Sequence, residues 1–424
     1  MKSIEEKPSE QAVYIWNIAG SMTNSLLSMI VLMIVTRTVD SVQADIFSIG
    51  WTISQLMATI GTYQIRNYQA TDVKGTFKFR QYLLFRFLTL GVMMVSSAVY
   101  IAVRNYDAYK SAIVFLVCLF RAVDSLADVY EGWFQQKERL DLTGKALTGR
   151  VIAAAVTFTA TLVLTENLMM ACIILVITYT VSFFCFNVRY FISVPALHEK
   201  PEKKAGKGWI WKLAVAGFPL FLNGYLMMDI TNAPKMAIDT AISEGVLTNG
   251  DQTVFTVLFM PASILTLAYI VFRPLLTKMA LAWAQGKPEE LLRILGRIFA
   301  CLAGVAVLGL AAGAVLGVPV LSLIYALDLS GYRMHLLIII LGGCLYVFSA
   351  VLDNVLVVIR KQYVLVICYV VTWIYIKLAA EPFVRIGGVM GASVVYLTSM
   401  ALLLVITFSI FLYCFNKEKK KIQS

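Results

Sequence analysis

Stretches of mainly apolar residues, each close to the length that crosses a bilayer, recur about twelve times along the chain. They lie near 13–36, 43–64, 82–103, 111–134, 150–165, 168–190, 212–231, 252–273, 298–317, 334–358, 363–379 and 387–415. A hydrocarbon core of about 30 Å needs roughly 20 such residues as a helix. Lipid offers no partner for free backbone groups, so a chain with this pattern has one solution, a set of membrane-crossing helices. With 59% hydrophobic residues, 14% charged residues and a mean hydropathy of +0.78, a soluble globular domain is excluded. Glu5, Glu6 and Glu10 precede the first apolar run and no small-residue cleavage site follows it, so that run is expected to stay as a helix.

Orientation follows from the basic residues, because short basic loops remain in the cytoplasm. With an even number of spans both termini share one side. Placing them inside puts 27 of the 36 Lys and Arg residues in the cytoplasm and 7 outside, with Arg86 and Arg121 within spans. The net charge of +11 resides largely in segments such as "HEKPEKKAGKGWIWK" and "NKEKKK", which read as cytoplasmic loop and tail. No nucleic-acid partner is needed; attraction to anionic headgroups, about 1 kcal/mol per basic residue near the surface, is the remaining role for that charge. The seven cysteines lie almost wholly within spans and the two histidines, His198 and His335, are far apart, so no disulfide and no metal cofactor are expected.

The chain divides around its longest basic loop. The expected organisation is a cytoplasmic N-terminus (1–12), a six-helix bundle (13–192), a basic cytoplasmic linker (193–211), a second six-helix bundle (212–415) and a basic cytoplasmic tail (416–424). "CLFRAVDSLADVYEGWFQQ" from Cys118 aligns without a gap on "CLYVFSAVLDNVLVVIRKQ" from Cys344, matching Leu119 with Leu345, Leu126 with Leu352, Asp128 with Asn354 and Gln136 with Gln362. That pairs the fourth span with the tenth. Six is even, so the halves are parallel repeats related by an axis along the membrane normal. The predicted fold class is an all-α polytopic membrane protein, about twelve transmembrane helices in two six-helix bundles.

The fourth span is the exception to apolarity. At about 100° per residue, Arg121, Asp124, Asp128 and Glu131 fall within an arc of about 80° on one helix face. Each ionised group at a helix centre costs about 2.5 to 3.5 kcal/mol on insertion scales, so the stripe lines water, pairs internally, or does both. Arg86 lies at a depth close to that of Glu131 on the antiparallel neighbour, and their side chains are predicted to approach within a water-bridged distance in at least one conformation. Other polar groups at membrane depth are Asn17, Asn24, Gln55, Asn223, Asp229 and Asp353. No GxxxxGK[ST] sequence occurs, so ATP hydrolysis does not supply energy for transport.

Several segments, taken in order, resemble bacterial polysaccharide or oligosaccharide flippases, the Wzx-like branch of the multidrug/oligosaccharidyl-lipid/polysaccharide exporter superfamily. They are "RNYQATDVKGTF", "RAVDSLADVYEGWFQQKERLD", "AGFPLFLNGYLMMDITNAPKMAID", "IVFRPLL" and "LGVPVLSLIYALDLSGY". The resemblance implies two bundles around a central cavity, and alternating access that carries a polyprenyl-pyrophosphate-linked sugar repeat from the inner to the outer leaflet of the bacterial cell membrane. It implies no enzyme activity and no cofactor, with coupling to a proton or sodium gradient or to the substrate itself. Partners would be the lipid-linked sugar, membrane lipids and enzymes of polysaccharide synthesis. A guanidinium suits a diphosphate because its planar fork matches phosphate oxygens, which makes Arg121 the leading candidate. The expected substrate cavity comprises Arg121, Asp124, Asp128, Glu131, Arg86, Asn24, Asn223 and Asp353. Two alternatives remain. A cation-coupled multidrug exporter of the same superfamily has twelve spans, but the first span here carries no acid. A membrane sugar polymerase or glycosyltransferase usually has a large outer loop, whereas the longest one expected here, 232–251, has some twenty residues.

Overall fold

The computed structural model describes residues 8–72, 76–197, 208–268 and 273–423. The centre of the basic linker, the middle of "RNYQATDVKGTF" and the start of "IVFRPLL" lie outside the described residues. The chain forms two compact units, Met1–Met228 and Asp229–Ser424.

The first unit holds α1 (Glu10–Thr38), α2 (Ser41–Thr62), the short α3 (Ile65–Thr71), α4 (Phe79–Val103), α5 (Ala108–Gln136), α6 (Leu140–Thr165) and α7 (Leu168–Phe183). A π turn, Phe184–Val188, carries α7 on into Arg189–Ser193. Short polar side chains start these helices by taking up unpaired N–H groups. Asp40 accepts from the Gln43 amide at 2.9 Å, and Asp107 from that of Lys110 at 2.9 Å. α8 (Trp209–Ser243) begins in the first unit and ends in the second, which continues with α9 (Asp251–Ala268), α10 (Arg273–Ala284), α11 (Pro288–Ala312), α12 (Arg333–Val358) and α13 (Leu365–Gln423).

Eight of the described helices are long and apolar enough to cross a membrane by composition. α13 supplies two spans, because Gly388 (φ 58°, ψ −136°) reverses the chain within it. A Cβ on Gly391 would lie 1.8 Å from the Phe383 carbonyl oxygen, so only glycine admits that crossing. Within the described residues α9 is apolar but too short, whereas α2 and α5 carry too many polar groups, for a physical reason. α2 is buried on most of its faces and α5 carries the charged stripe, so neighbouring helices rather than lipid cover their polar groups. Twelve spans result, six on either side of the linker.

The two halves repeat one packing scheme. The second helix of each six packs on the fourth, α2 on α5 and α9 on α12. The first meets the fifth: α1 packs on α6, and α8 joins the first span of α13 where Asp229 accepts from Lys377 at 2.8 Å and from the Trp373 indole at 2.6 Å. Large apolar side chains such as Leu164, Leu323 and Ile386 stand almost fully exposed, which suits a hydrocarbon surround rather than water.

Several boundaries differ from the sequence reading. α6 begins at Leu140 rather than near 150, and α8 runs on to Ser243, which shortens the expected outer loop 232–251 to 244–250. For the segment "GVPVLSLIY" the sequence allows either a continuation of the ninth span or a short interfacial helix, and it continues α11 through a π turn, Gly313–Gly317, into Val318–Tyr325. All seven cysteines are free, and Cys185 and Cys301 are exposed rather than buried.

α1 and α6 approach through glycine. A Cβ on Gly144 would lie 2.0 Å from the Trp16 carbonyl oxygen, and one on Gly20 2.9 Å from the Gly144 Cα. Backbone cannot yield as a side-chain tip can, so Gly144→Ala is expected to force α1 outward at about 1–3 kcal/mol. The check is folded yield and unfolding temperature in detergent. Gly91→Ala, with open space around it, serves as the neutral control.

Candidate functional site

The stripe on α5 is the centre of a charged network confined to the first unit. Glu131, nearly inaccessible, accepts from Arg150 on α6 at 2.8 Å and from Arg66 on α3 at 3.1 Å. Asp128 accepts from the same Arg66 nitrogen at 3.1 Å and from Arg86 on α4 at 2.9 Å. Asp124 receives the Tyr179 hydroxyl at 3.0 Å and Arg150 at 3.4 Å, and pairs with Arg121 at 3.4 Å. Arg150 also donates to the Asn187 side-chain oxygen at 2.7 Å. Asn187 lies in the π turn of α7, a device frequent where a helix must present a side chain out of register.

Arg86 and Glu131 make no direct ion pair with each other; each has other partners. α2 ends at Thr62, which leaves its last carbonyls without helical donors. The Gly61 carbonyl accepts from Arg86 at 2.6 Å and from the Thr89 hydroxyl at 2.7 Å. That bond holds the Arg86 guanidinium beside Asp128, one turn from Glu131, whose oxygens are taken by Arg66 and Arg150. The Arg86 side chain is wholly buried, so its role is to tie three helices together.

The expected cavity residues therefore divide. The structure brings Arg121, Asp124, Asp128, Glu131 and Arg86 into one network, while Asn24, Asn223 and Asp353 stand outside it. Asn24 is exposed on α1. The Asn223 side-chain oxygen on α8 is buried without a hydrogen-bond partner. Asp353, in the second unit, accepts from the Tyr369 hydroxyl, and its other oxygen is buried without a partner, as is the hydroxyl of Ser349 one turn earlier on α12.

Two members escaped the sequence reading. The span limits 43–64 and 150–165 place Arg66 in a loop and Arg150 at the edge of a span. The signal for Arg150 was "LDLTGKALTGR", which keeps helix-compatible residues for ten positions before the apolar run. For Arg66 it was the lack of any glycine or proline between Tyr63 and Asp72.

The network holds four arginines (66, 86, 121, 150) and three carboxylates (124, 128, 131), a surplus of one positive charge. Side-chain exposure separates them: 27% for Arg66, 24% for Asp124, 20% for Asp128 and 14% for Arg121, but 3% for Glu131, 1% for Arg150 and 0% for Arg86. Glu131, Arg150 and Arg86 form a closed floor, and the other four form an open rim. Arg121 is the least committed cation of the rim. Its one ion pair is long, its Nε has no partner, and its guanidinium lies 4.6 Å from the Trp51 ring centroid. Aromatic stacking orients the fork while leaving its donors free.

Behind the rim, α3 is fastened to α5. Gln69 donates to the Val129 carbonyl at 3.2 Å, and Gln136 to that of Asp72 at 2.7 Å. Burial works against ionisation of Asp72, but the amides of Thr76 and Phe77 and the Tyr82 hydroxyl outweigh it and hold the carboxyl below its usual range.

Solved structures supply the remaining comparison. An inward-facing multidrug resistance MATE family transporter of the MOP superfamily superposes with a TM-score of 0.65 at 13% identity, covering 94% of this chain and 95% of that one. The chain has the fold of the MATE transporters. The Vibrio cholerae MATE transporter VcmN in its bent form gives 0.60 at 10% identity over 96% and 97% of the two chains. A MOP superfamily transporter from Pyrococcus furiosus, described as having a binding pocket of reversed polarity, gives 0.55 at 11% identity over 99% and 100%. No family model matches the sequence, and no curated protein matches it.

Proposed function

We propose that the chain is a membrane transporter that carries polyprenyl-pyrophosphate-linked oligosaccharide units from the inner to the outer leaflet of a bacterial cell membrane by alternating access, for cell-surface polysaccharide synthesis. The observation that carries this reading is the polarity of the α5 network, a cationic surplus with Arg66 and Arg121 on its open rim. A diphosphate gains charge-assisted, bidentate hydrogen bonds there. A cationic drug gains nothing from it. The Wzx-like flippases belong to the same superfamily as the MATE transporters whose fold the chain has. In this reading both termini are cytoplasmic, enzymes of polysaccharide synthesis deliver the cargo, and no enzyme activity or cofactor is involved.

The second reading is a cation-coupled multidrug exporter. The fold comparisons favour it, since several of the matching structures are multidrug MATE transporters. Asp353 also favours it: a buried carboxylate with one oxygen free beside Ser349 suits a proton or sodium ion. The same site can couple a flippase to an ion gradient.

Reconstitution in proteoliposomes separates the two. The flippase reading expects protein-dependent movement of a fluorescent polyprenyl-diphosphate oligosaccharide across the bilayer and no uptake of ethidium under a proton or sodium gradient. Gradient-driven ethidium transport without lipid movement overturns it in favour of the second reading.

A further inference from the structure

α2 and α3 meet at two successive residues in the left-handed region, Tyr63 (φ 48°, ψ 18°) and Gln64 (φ 50°, ψ 20°). Neither is a glycine or an asparagine, and each brings its Cβ against a backbone oxygen. Such a conformation persists only when its surroundings impose it.

α8 imposes it here. Gly217 and Gly224 lie two turns apart on one face of that helix. A Cβ at 217 would come within 2.9 Å of Ile65 and 3.2 Å of the Tyr63 ring, and one at 224 within 3.1 Å of Gln64. Between them Phe221 stacks on Tyr63, with ring centroids 4.6 Å apart and planes 6° from parallel. Phe85 closes another side of the ring edge-on at 5.3 Å, and the Tyr63 hydroxyl donates to the Ala214 carbonyl at 3.2 Å. The junction opens directly into α3, seven residues long, whose second residue is Arg66. α3 lies flush on α5: a Cβ on Gly132 would meet Gln69 at 2.5 Å and the Arg66 Cγ at 3.1 Å.

We infer that Tyr63 is a positioning residue for Arg66: clasped by α8 through Phe221, it fixes the left-handed junction and so sets the Arg66 guanidinium between Asp128 and Glu131. A helix of two turns has no independent stability, so its place is dictated by its two ends. Gln69 and Gln136 fasten the far end, and the Tyr63 clasp fastens the near one. The clasp holds the rim whatever the cargo.

Amide hydrogen exchange on the full chain in nanodiscs tests it without any transport assay. Tyr63→Ala is expected to speed exchange over residues 65–72 by roughly tenfold or more, because the opening of a segment tracks its local contacts, while α6 exchanges as before. Tyr63→Phe keeps the stack and is expected to stay within about twofold of the parent. Phe221→Ala removes the stack from the other side and is expected to reproduce the Tyr63→Ala pattern, which keeps the test open if Tyr63→Ala does not fold. In a double-mutant cycle on unfolding temperature, Tyr63→Ala and Arg66→Ala together are expected to lose less than the sum of the single losses. Unchanged exchange over 65–72 in both ring-deleted variants, or losses that add, overturns the inference.

Discussion

Arg150→Ala is expected to lower folded yield and unfolding temperature more than any other single change in the charged network. The guanidinium is buried to 1% exposure and is the closest partner of Glu131, itself at 3%. Its removal leaves that carboxylate on the closed floor with only the partly exposed Arg66, strands the Asn187 side-chain oxygen and takes one partner from Asp124. Breaking a buried pair by removing one member costs about 3–5 kcal/mol, since the remaining charge has been taken out of water without compensation. For a unit of this size that is a fall of roughly 6–20 °C. Adding Glu131→Gln removes the orphaned charge, and the double variant is expected to regain part of the loss. Arg86→Ala is a milder change, because Asp128 keeps Arg66 and stands on the open rim. Thermal unfolding of the three variants in one detergent gives the ranking.

Arg121→Ala is expected to do the opposite, leaving the fold intact and abolishing polymer export. Its pair with Asp124 is long, and Asp124 retains Arg150 and Tyr179, so no carboxylate is orphaned. What is lost is a rim fork whose Nε has no partner and whose single ion pair is long. A desolvated charge-assisted contact contributes roughly 2 to 5 kcal/mol to binding, enough to stop export at physiological cargo levels. Arg121→Lys is expected to recover export only in part, since an ammonium keeps the charge without the bidentate geometry. Export per folded molecule is the quantity to measure. Full export by Arg121→Ala would remove this residue from the cargo site and return the network to a packing role.

The span count and the repeat were legible because the bilayer acts as a ruler and duplication leaves its spacing in the chain. The charged face of α5 was legible because helical periodicity alone places Arg121, Asp124, Asp128 and Glu131 together. Helix ends were less so, because hydropathy reports compatibility with lipid and not burial in protein: α6 starts with polar residues that α1 and α5 cover. The partner of Arg86 was hidden for a different reason. It depends on the Gly61 carbonyl, freed by a helix end whose left-handed residues carry no glycine to announce them. The same break hides Arg66, which lies on the short helix beyond it.

Binding of a polyprenyl diphosphate to the purified protein, measured against a lipophilic cation such as tetraphenylphosphonium, tests the polarity of the rim most directly. The parent protein is expected to bind the diphosphate lipid, with inorganic pyrophosphate competing and the cation not, and Arg121→Ala to lose binding while unfolding at the parent temperature. Binding of the cation with no affinity for the diphosphate, unchanged in Arg121→Ala, would contradict it.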